Sequence, residues 1–144
     1  MATTAGSVNL KTPSCELSWE KFEIGGVETC LKVQGKGSII NAASACKLIG
    51  AKLPLPTSSQ ENTDLFKAIK SLGLNGASLD CFRSANTSKW LDSSSNICSY
   101  FIWQPGQPNS PNNRGVYISL MPNGQWNDFW GDTKQNYVCQ KATL

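Results

Sequence analysis

The pattern of hydrophobic and polar positions changes near Gly76. Before this residue, apolar positions recur with the periods of strands and helices; after it, short apolar pieces are separated by Ser, Asn, Gly and Pro. Long segments with little regular structure are usually functional or disordered. Because aromatic residues are spaced along this second half, we expect ordered loops there rather than disorder.

The segment between Cys15 and Cys30 is predicted to form a β-hairpin. Apolar and polar residues alternate on both sides of Gly25-Gly26, a dipeptide that suits a tight turn. A disulfide between Cys15 and Cys30 would close this hairpin. The alternating apolar residues are Trp19, Phe22, Ile24, Val27, Leu31 and Val33.

Two helices are predicted to follow the hairpin. The first spans Ser38 to Ile49, because apolar residues recur at intervals of three and four, and Gly50 is placed to end it. The second begins with a capping box of Ser58 and Glu61 and stops at Gly73. Their apolar faces consist of Ile39, Ala42, Ala43, Cys46 and Ile49 in the first helix and Leu65, Phe66, Ile69 and Leu72 in the second.

Length and charge favour one globular domain. We assign residues 1–14 to a flexible lead, since they begin with small and polar residues, and residues 15–144 to a single domain. The net charge of +3 is not concentrated in a run of Lys or Arg, so binding to nucleic acid is not indicated. No apolar run is long enough to span a bilayer, so insertion into a membrane is not predicted.

Cysteine and histidine contents narrow the possible chemistry. The chain has 6 Cys and no Cys-x-x-Cys motif, which favours three disulfides and an oxidising compartment over a metal cluster. The absence of His from the sequence excludes imidazole zinc sites, Ser-His-Asp triads and Cys-His dyads. Because no carboxylate pair in a cleft is evident either, we do not predict an enzyme.

The stretch from Trp103 to Trp130 concentrates side-chain oxygens on two loops, on either side of a predicted strand from Val116 to Leu120. Ca²⁺ takes six to eight oxygen ligands, and amide groups can ligate an ion with oxygen while donating to a sugar through nitrogen. The stretch therefore predicts a calcium site that bridges the protein and a sugar. The carbonyl-bearing side chains are Gln107, Asn109, Asn112, Asn113, Asn127 and Asp128.

A simpler interpretation is that the Asn, Pro and Gly residues of these loops serve only as turn formers. Asp128 is the one formal negative charge in the set, so a calcium site is expected to be weak. Trp103 and Trp126 are predicted to be core residues, because large aromatic side chains bury well. Phe129 and Trp130 adjoin the predicted ligands, and each could stack on a sugar or belong to the core.

Several motifs, in this order and spacing, resemble the C-type lectin domain over nearly the whole chain, from Cys15 to Gln140. Each piece is weak alone, but the ordered set is specific for the fold. The pieces are the hairpin with Cys15, Trp19, Phe22 and Cys30; a helix with Ala42 and Cys46, followed by Gly50-Ala51-Lys52-Leu53; Ser58 to Glu61; Trp103 with Gly106-Gln107-Pro108-Asn109; Gly124-Gln125-Trp126-Asn127-Asp128; and Tyr137-Val138-Cys139-Gln140.

The resemblance implies an α+β double-loop fold with two helices and small antiparallel sheets. It also implies the disulfides Cys46–Cys139 and Cys15–Cys30, and a cis peptide bond before Pro108, where cis is least costly. The implied metal ligands for Ca²⁺ are Gln107, Asn109, Asn113, Asn127 and Asp128. The implied sugar-binding residues are Gln107, Asn109, Asn113 and Asn127, with Phe129 and Trp130 as candidates for stacking.

The chain departs from the family pattern in its loops. The usual second disulfide is missing at both ends, where Gly115 and Gly131 stand. Cys81 and Cys98 are then left to pair with each other, although six Cys allow 15 connectivities. The usual Trp-Ile-Gly-Leu signature is replaced by Gly76-Ala77-Ser78-Leu79.

The sugar code is ambiguous as well. Gln107-Pro108-Asn109 is intermediate between the Glu-Pro-Asn of mannose-type members and the Gln-Pro-Asp of galactose-type members, and Asn113 stands where Glu is usual. The triplet therefore does not assign a monosaccharide. Stacking on Phe129 and Trp130 would tilt the preference towards galactose or N-acetylgalactosamine.

The leading hypothesis is a secreted, calcium-dependent lectin for cell-surface or microbial glycans, with a signal peptide that this numbering does not include. The alternative is a domain that keeps the fold but binds a protein, ice or another non-sugar ligand without metal. Because all six Cys can pair internally, a homo-oligomer would have to be non-covalent. Asn86-Thr87-Ser88 is an acceptor triplet for N-glycosylation, which matters only in a secreted chain.

Overall fold

Two helices and two three-stranded antiparallel sheets make up the part of the chain that the computed structural model describes, residues 14–144. The flexible lead predicted for residues 1–14 therefore lies, apart from Ser14, outside the described residues. In chain order the elements are β1 (Glu20–Ile24), β2 (Val27–Ser38), α1 (Ile39–Leu48), α2 (Ser59–Ser71), β3 (Ala77–Arg83), β4 (Val116–Leu120), β5 (Trp126–Trp130) and β6 (Lys134–Ala142).

The predicted hairpin is the start of the first sheet, in the order β1-β2-β6. Gly25 and Gly26 form its turn with φ angles of 60° and 81°, which glycine adopts without a steric cost. The Cys15–Cys30 disulfide ties the preceding segment to β2. β6, the last strand, pairs along nearly the whole length of β2, so the last strand of the chain lies in the same sheet as the first two.

The first helix begins at Ile39 and ends at Leu48, one residue earlier than predicted, so Ile49 is its C-cap. Gly50 lies at the next position with φ 72°, and its N–H donates to the Lys47 carbonyl while that of Ala51 donates to Cys46. This is a Schellman motif, in which a left-handed residue turns the chain away from the helix. The prediction that Ile49 belongs to the buried face is wrong, since it is 38% exposed.

The second helix has the predicted Ser58 cap, because the Ser58 hydroxyl accepts the Glu61 N–H at 3.1 Å. The reciprocal half of the capping box is wrong. The Glu61 carboxylate accepts the Thr57 N–H at 2.8 Å instead of that of Ser58, and it also accepts the Thr57 hydroxyl at 2.9 Å. Because Thr57 offers its hydroxyl as a second donor to the same oxygen, the Glu61 carboxylate binds Thr57 rather than Ser58.

The second sheet has the order β3-β4-β5 and carries the loops with the predicted oxygen ligands. Gly76, where the chain departs from the Trp-Ile-Gly-Leu signature, lies so close to β4 that a Cβ would be 2.4 Å from the Leu120 carbonyl oxygen. A larger residue would separate the strands. The connection from β3 to β4 spans residues 84–115 and is held to β3 by the Cys81–Cys98 disulfide.

Trp126 lies at the centre of the main core and is fully buried. Its indole N–H donates to the Asn62 side-chain oxygen at 2.8 Å, and the Asn62 amide donates to the Gly124 carbonyl at 2.8 Å. Asn62 is 4% exposed; its bond to the indole is buried and its bond to Gly124 is half-buried. A single residue of α2 thereby satisfies the core indole and fixes the turn that leads into β5.

The remaining long-range link joins α1 to β6 through the Cys46–Cys139 disulfide. This bond completes the three pairs, and none of the six Cys is free. Among residues 14–144, neither helix has the length and apolar composition needed to cross a bilayer.

Replacing Asn62 by Ala should lower the free energy of unfolding by about 2 kcal/mol, because it leaves the buried Trp126 indole N–H without a partner and removes the bond to the half-buried Gly124 carbonyl. Urea unfolding followed by tryptophan fluorescence measures this change. Gln60→Ala is the control: Gln60 donates to Asp64 on the exposed face of the same helix, and its loss should cost less than about 0.5 kcal/mol. Equal effects of the two substitutions would contradict the role of Asn62.

Candidate functional site

The predicted loop ligands approach one another because the long connection pairs with the start of β5. Trp126 donates its N–H to Ile102 at 2.7 Å and accepts the Gln104 N–H at 2.9 Å, which forms a parallel bridge between Trp103 and Trp126. The loop of residues 104–115 therefore leaves the core beside β5. Trp103 packs against the core and Trp126 is buried within it, as the sequence predicts.

Asp128 joins this loop to β5. Asp128 is buried, with 5% of its surface exposed. Its carboxylate accepts the backbone N–H groups of Asn109 at 3.2 Å and Ser110 at 2.9 Å. Each carboxylate oxygen therefore has one partner from the loop. Since a carboxylate offers about four lone-pair sites, acceptor capacity remains for a cation.

Gln107 stands at the bend of the loop. The peptide bond between Gln107 and Pro108 is cis, and the Gln107 N–H donates to the Gln104 carbonyl at 3.0 Å, which closes a turn through Gly106. The side-chain oxygen of Gln107 is buried without a hydrogen-bond partner among the described residues. Buried polar atoms in native structures are normally satisfied, so this oxygen has a vacant acceptor position.

The other predicted ligands differ in how far they are engaged. Asn127 folds along β5 and its side-chain oxygen accepts the Asp128 N–H at 2.7 Å. Asn109 and Asn113 are exposed, and within residues 14–144 no hydrogen bond forms to either carboxamide. Asn112 contributes its backbone carbonyl to the Asn86 N–H at 2.7 Å, so it is a structural residue of the loop.

Two arginines that the sequence analysis did not single out belong to this region: Arg83, at the end of β3, contacts the loop, and Arg114 is part of it. Arg83 donates to the carbonyls of Ser110 at 3.3 Å and Pro111 at 3.5 Å. Arg114 pairs with Asp132 at 3.4 Å, and its guanidinium lies 4.3 Å from the Trp130 ring centroid. Neither arginine belongs to a run of basic residues, so the sequence contains no motif that would have identified them. One face of Trp130 is thereby covered by a cation rather than open to a sugar.

The residues fit a weakly bound cation better than a tight one. Asp128 and Asp132 contribute two negative charges near the loop, and Arg83 and Arg114 contribute two positive charges, so the local formal charge is zero. Among residues 14–144 there is no cluster of three or more His, Cys, Asp or Glu that could hold a metal ion. A calcium ion here would rely on neutral amide oxygens, which bind it less strongly than carboxylates.

The two glycines that replace the usual second disulfide lie across the strand pair from each other. The register pairs Val116 with Trp130, so Gly115 and Gly131 follow at the next position. A Cβ on Gly131 would lie 3.0 Å from Cε1 of Tyr117, and one on Gly115 would lie 3.8 Å from the same atom. The Tyr117 ring, stacked on Phe82, borders both glycines and limits the space for larger residues.

A cleft of about 450 Å³ lies away from these loops, between α1 and the segment after β3, with Lys47, Phe82 and Ser93 in its wall. A smaller cavity of about 140 Å³ shares Phe82 and Ser93 and reaches Asp80. The Asp80 carboxylate accepts the Ser93 N–H at 3.1 Å and hydroxyl at 2.9 Å. These bonds hold the segment around Ser93 onto β3. This structural role explains why a carboxylate is buried here, and no ligand is needed to explain it.

Burial of Asp80 raises the pKa of its carboxyl group, against the hydrogen bonds from Ser93, which lower it. The folded protein therefore holds this proton more tightly than the unfolded chain does.

Comparison with known proteins identifies the family. The family model described as the Lectin C-type domain matches residues 35–141. The chain belongs to the C-type lectin domain family. A perlucin-like protein from Mytilus galloprovincialis is 29% identical over 134 residues, which cover 88% of this chain and 82% of that protein.

Solved structures agree with this assignment. The carbohydrate-recognition domain of the mouse scavenger receptor C-type lectin matches with a TM-score of 0.74 at 23% identity, over 91% of this chain and all 100% of that chain. A calcium-independent type II antifreeze protein matches with a TM-score of 0.75 at 17% identity, over 94% and 99% of the two chains. At these identities the matches establish the fold, and the predicted C-type lectin fold is confirmed.

Gly131→Ala should destabilise this C-type lectin domain by about 2 kcal/mol, because the new methyl group overpacks against Tyr117 and Ile40. Gly37→Ala is a matched control, since its Cβ would lie at an ordinary 3.5 Å from the Tyr137 ring. In a Tyr117→Ala background the cost of Gly131→Ala should fall by about 1 kcal/mol. Urea unfolding of the four variants tests this, and strict additivity would show that Tyr117 is not the obstacle.

Asp80→Asn should alter stability in a pH-dependent manner. Because the folded-state pKa is raised above the ordinary 3.8, the contribution of Asp80 to stability is largest at low pH and decreases as pH rises through that folded-state value. Asn can still accept one Ser93 donor and donate to the Ser93 hydroxyl. The stability of the variant relative to the wild type should therefore increase from about pH 4 to about pH 7. Urea unfolding across this range measures it, and a constant difference would refute the assignment.

Proposed function

We propose that this C-type lectin domain is a secreted, calcium-dependent lectin that binds glycans through the loop of residues 104–115 and strand β5. The observation that carries the proposal is the buried, unpartnered side-chain oxygen of Gln107. Leaving such an atom without a partner costs about 1–3 kcal/mol. A cation that this oxygen ligates would remove that cost, which gives the loop a physical reason to bind one.

The proposed ligands are Gln107, Asn109, Asn113, Asn127 and Asp128. The free carboxamides of Asn109 and Asn113 can turn towards an ion without breaking a hydrogen bond among residues 14–144. Asp128 supplies the single carboxylate and already fixes the loop backbone. A bound calcium ion would accept two sugar hydroxyl oxygens as ligands, and the amide NH₂ groups of the same side chains would donate to the sugar.

Calcium affinity is expected to be low. Extracellular calcium modules reach dissociation constants of about 10⁻⁴–10⁻³ M, and the local charge is balanced by Arg83 and Arg114. We place this site at the weak end of that range, on the order of 10⁻³ M.

The proposed sugar class is galactose or N-acetylgalactosamine rather than mannose, and it now depends on Phe129. One face of Trp130 is covered by the Arg114 guanidinium, which would have to move before a sugar could stack on that face. Phe129 pairs opposite Tyr117 in the strand register and is partly exposed. The three disulfides, which persist in oxidising environments, support the proposed secretion.

A calcium-independent binding domain is the second candidate, and one observation favours it. Both oxygens of Asp128 accept loop amides, so the carboxylate has a structural role of its own in holding the loop to β5. The antifreeze protein with a similar fold is described as calcium-independent. Under this reading the same loop would bind a protein or another non-sugar ligand directly.

Gln107→Leu separates the two functions. The wild type should melt roughly 4 °C higher in 10 mM calcium than in chelator, as expected for a dissociation constant on the order of 10⁻³ M. The variant should be no less stable without calcium, because it loses an unpartnered polar atom, but it should lose the calcium response. Differential scanning calorimetry measures both quantities.

Gln104→Leu is the control on the same loop: Gln104 donates to the exposed Asn123 at 3.2 Å, and its replacement should preserve the calcium response. A glycan array with and without chelator then tests the ligand. Galactose-type signals that need calcium and disappear in Gln107→Leu support the proposal. No calcium shift in the wild type, or ligand binding that persists in chelator, would reject it in favour of the second candidate.

A further inference from the structure

The triplet Asn86-Thr87-Ser88 lies in an exposed turn immediately after β3. Thr87 donates both its N–H, at 3.3 Å, and its hydroxyl, at 2.9 Å, to the Ser84 carbonyl. Asn86 occupies the third position of this turn with φ 63°, a conformation that Asn tolerates better than most residues. The turn therefore presents the triplet on the surface in a defined geometry.

The reactive groups of the triplet are accessible. Every residue from Ser84 to Lys89 is exposed, and within residues 14–144 neither the Asn86 carboxamide nor the Ser88 hydroxyl forms a hydrogen bond. Asn86 is also the one Asn of the sequence that is followed two residues later by Ser or Thr. Exposure, a turn and free side-chain groups are what an N-glycosylation acceptor in a secreted protein requires.

The backbone of the same turn is fixed to the candidate binding loop. The Asn86 N–H donates to the Asn112 carbonyl at 2.7 Å, and Arg83 donates to the carbonyls of Ser110 and Pro111. A group attached to Asn86 would therefore start beside residues 110–112. These residues lie between two proposed ligands, Asn109 and Asn113.

We propose that Asn86 is N-glycosylated and that its oligosaccharide limits the access of large ligands to the loop of residues 104–115. In the reaction, the Asn86 amide nitrogen forms a bond to the anomeric carbon of an oligosaccharide carried on a lipid diphosphate. The bond from that carbon to the diphosphate oxygen breaks, the amide nitrogen loses one proton, and the lipid diphosphate leaves. The modification rests on the proposed secretion but not on calcium or glycan binding, whereas the identity of the shielded ligand rests on the whole proposed function.

Intact-mass measurement of the full chain, secreted from a eukaryotic host, tests the modification. The wild type should carry one heterogeneous oligosaccharide that an amidase specific for N-glycans removes. Asn86→Gln and Ser88→Ala should each lack it, and Ser88→Thr should retain it. A wild type without added mass, or added mass that persists in Ser88→Ala, would overturn the proposal.

Limited trypsin digestion tests the shielding without any assumption about a ligand. Arg114 is exposed, so cleavage after it reports access to the loop, and cleavage after the exposed Lys67 on α2 is the reference. Cleavage after Arg114 should be several-fold slower in the glycosylated wild type than in Asn86→Gln from the same host. If cleavage after Arg114, relative to cleavage after Lys67, were equally fast in the two proteins, shielding would be refuted. This result can be read whether or not the protein binds calcium or glycans.

Discussion

The burial of Trp126 is the constraint on which the rest of the structure depends. Its indole N–H must find an acceptor inside the core, and Asn62 of α2 supplies one. Its backbone pairs with the long connection at Ile102 and Gln104, and its ring meets those of Tyr100, Phe101 and Trp103 edge to face. A helix, a sheet and the candidate binding loop thus share one residue.

The candidate ligands follow from this anchor. Asn127 and Asp128 come directly after Trp126. The loop with Gln107 comes directly after Trp103, which pairs with Trp126, so both sets of candidate ligands leave the core side by side. Asp128 fixes that loop to β5 by accepting two of its backbone amides. Two features weaken the attraction of this region for a cation: the Asp128 carboxylate already accepts two hydrogen bonds, and two arginines neutralise the local negative charge. A calcium ion bound here would share the Asp128 carboxylate with the two loop amides.

The base of the loop is closed without the disulfide that is usual in this fold. An engineered or native disulfide typically stabilises by about 2–4 kcal/mol, whereas an exposed ion pair such as Arg114–Asp132 contributes about 0–1 kcal/mol and an exposed cation–π contact about 0.5–1 kcal/mol. The packing of Tyr117 against Gly131 adds a steric element. The non-covalent closure is weaker than a disulfide would be, and the space beside Tyr117 and Ile40 favours glycine at position 131.

Most local structure could be predicted from the sequence, with the partner of the Glu61 carboxylate as an exception. The helices, their glycine ends and the Gly25-Gly26 hairpin depend on residues within one or two turns of each other, and the ordered motifs identified the C-type lectin fold. The residue types of the candidate site were also evident. The fold was needed to show which of those side chains already have hydrogen-bond partners. Asp128 accepts loop amides and Asn127 accepts its neighbour's N–H, whereas the side-chain oxygen of Gln107 has no partner among residues 14–144. Partners 18 to 64 residues apart in sequence meet only after folding, so no periodicity or spacing encodes them.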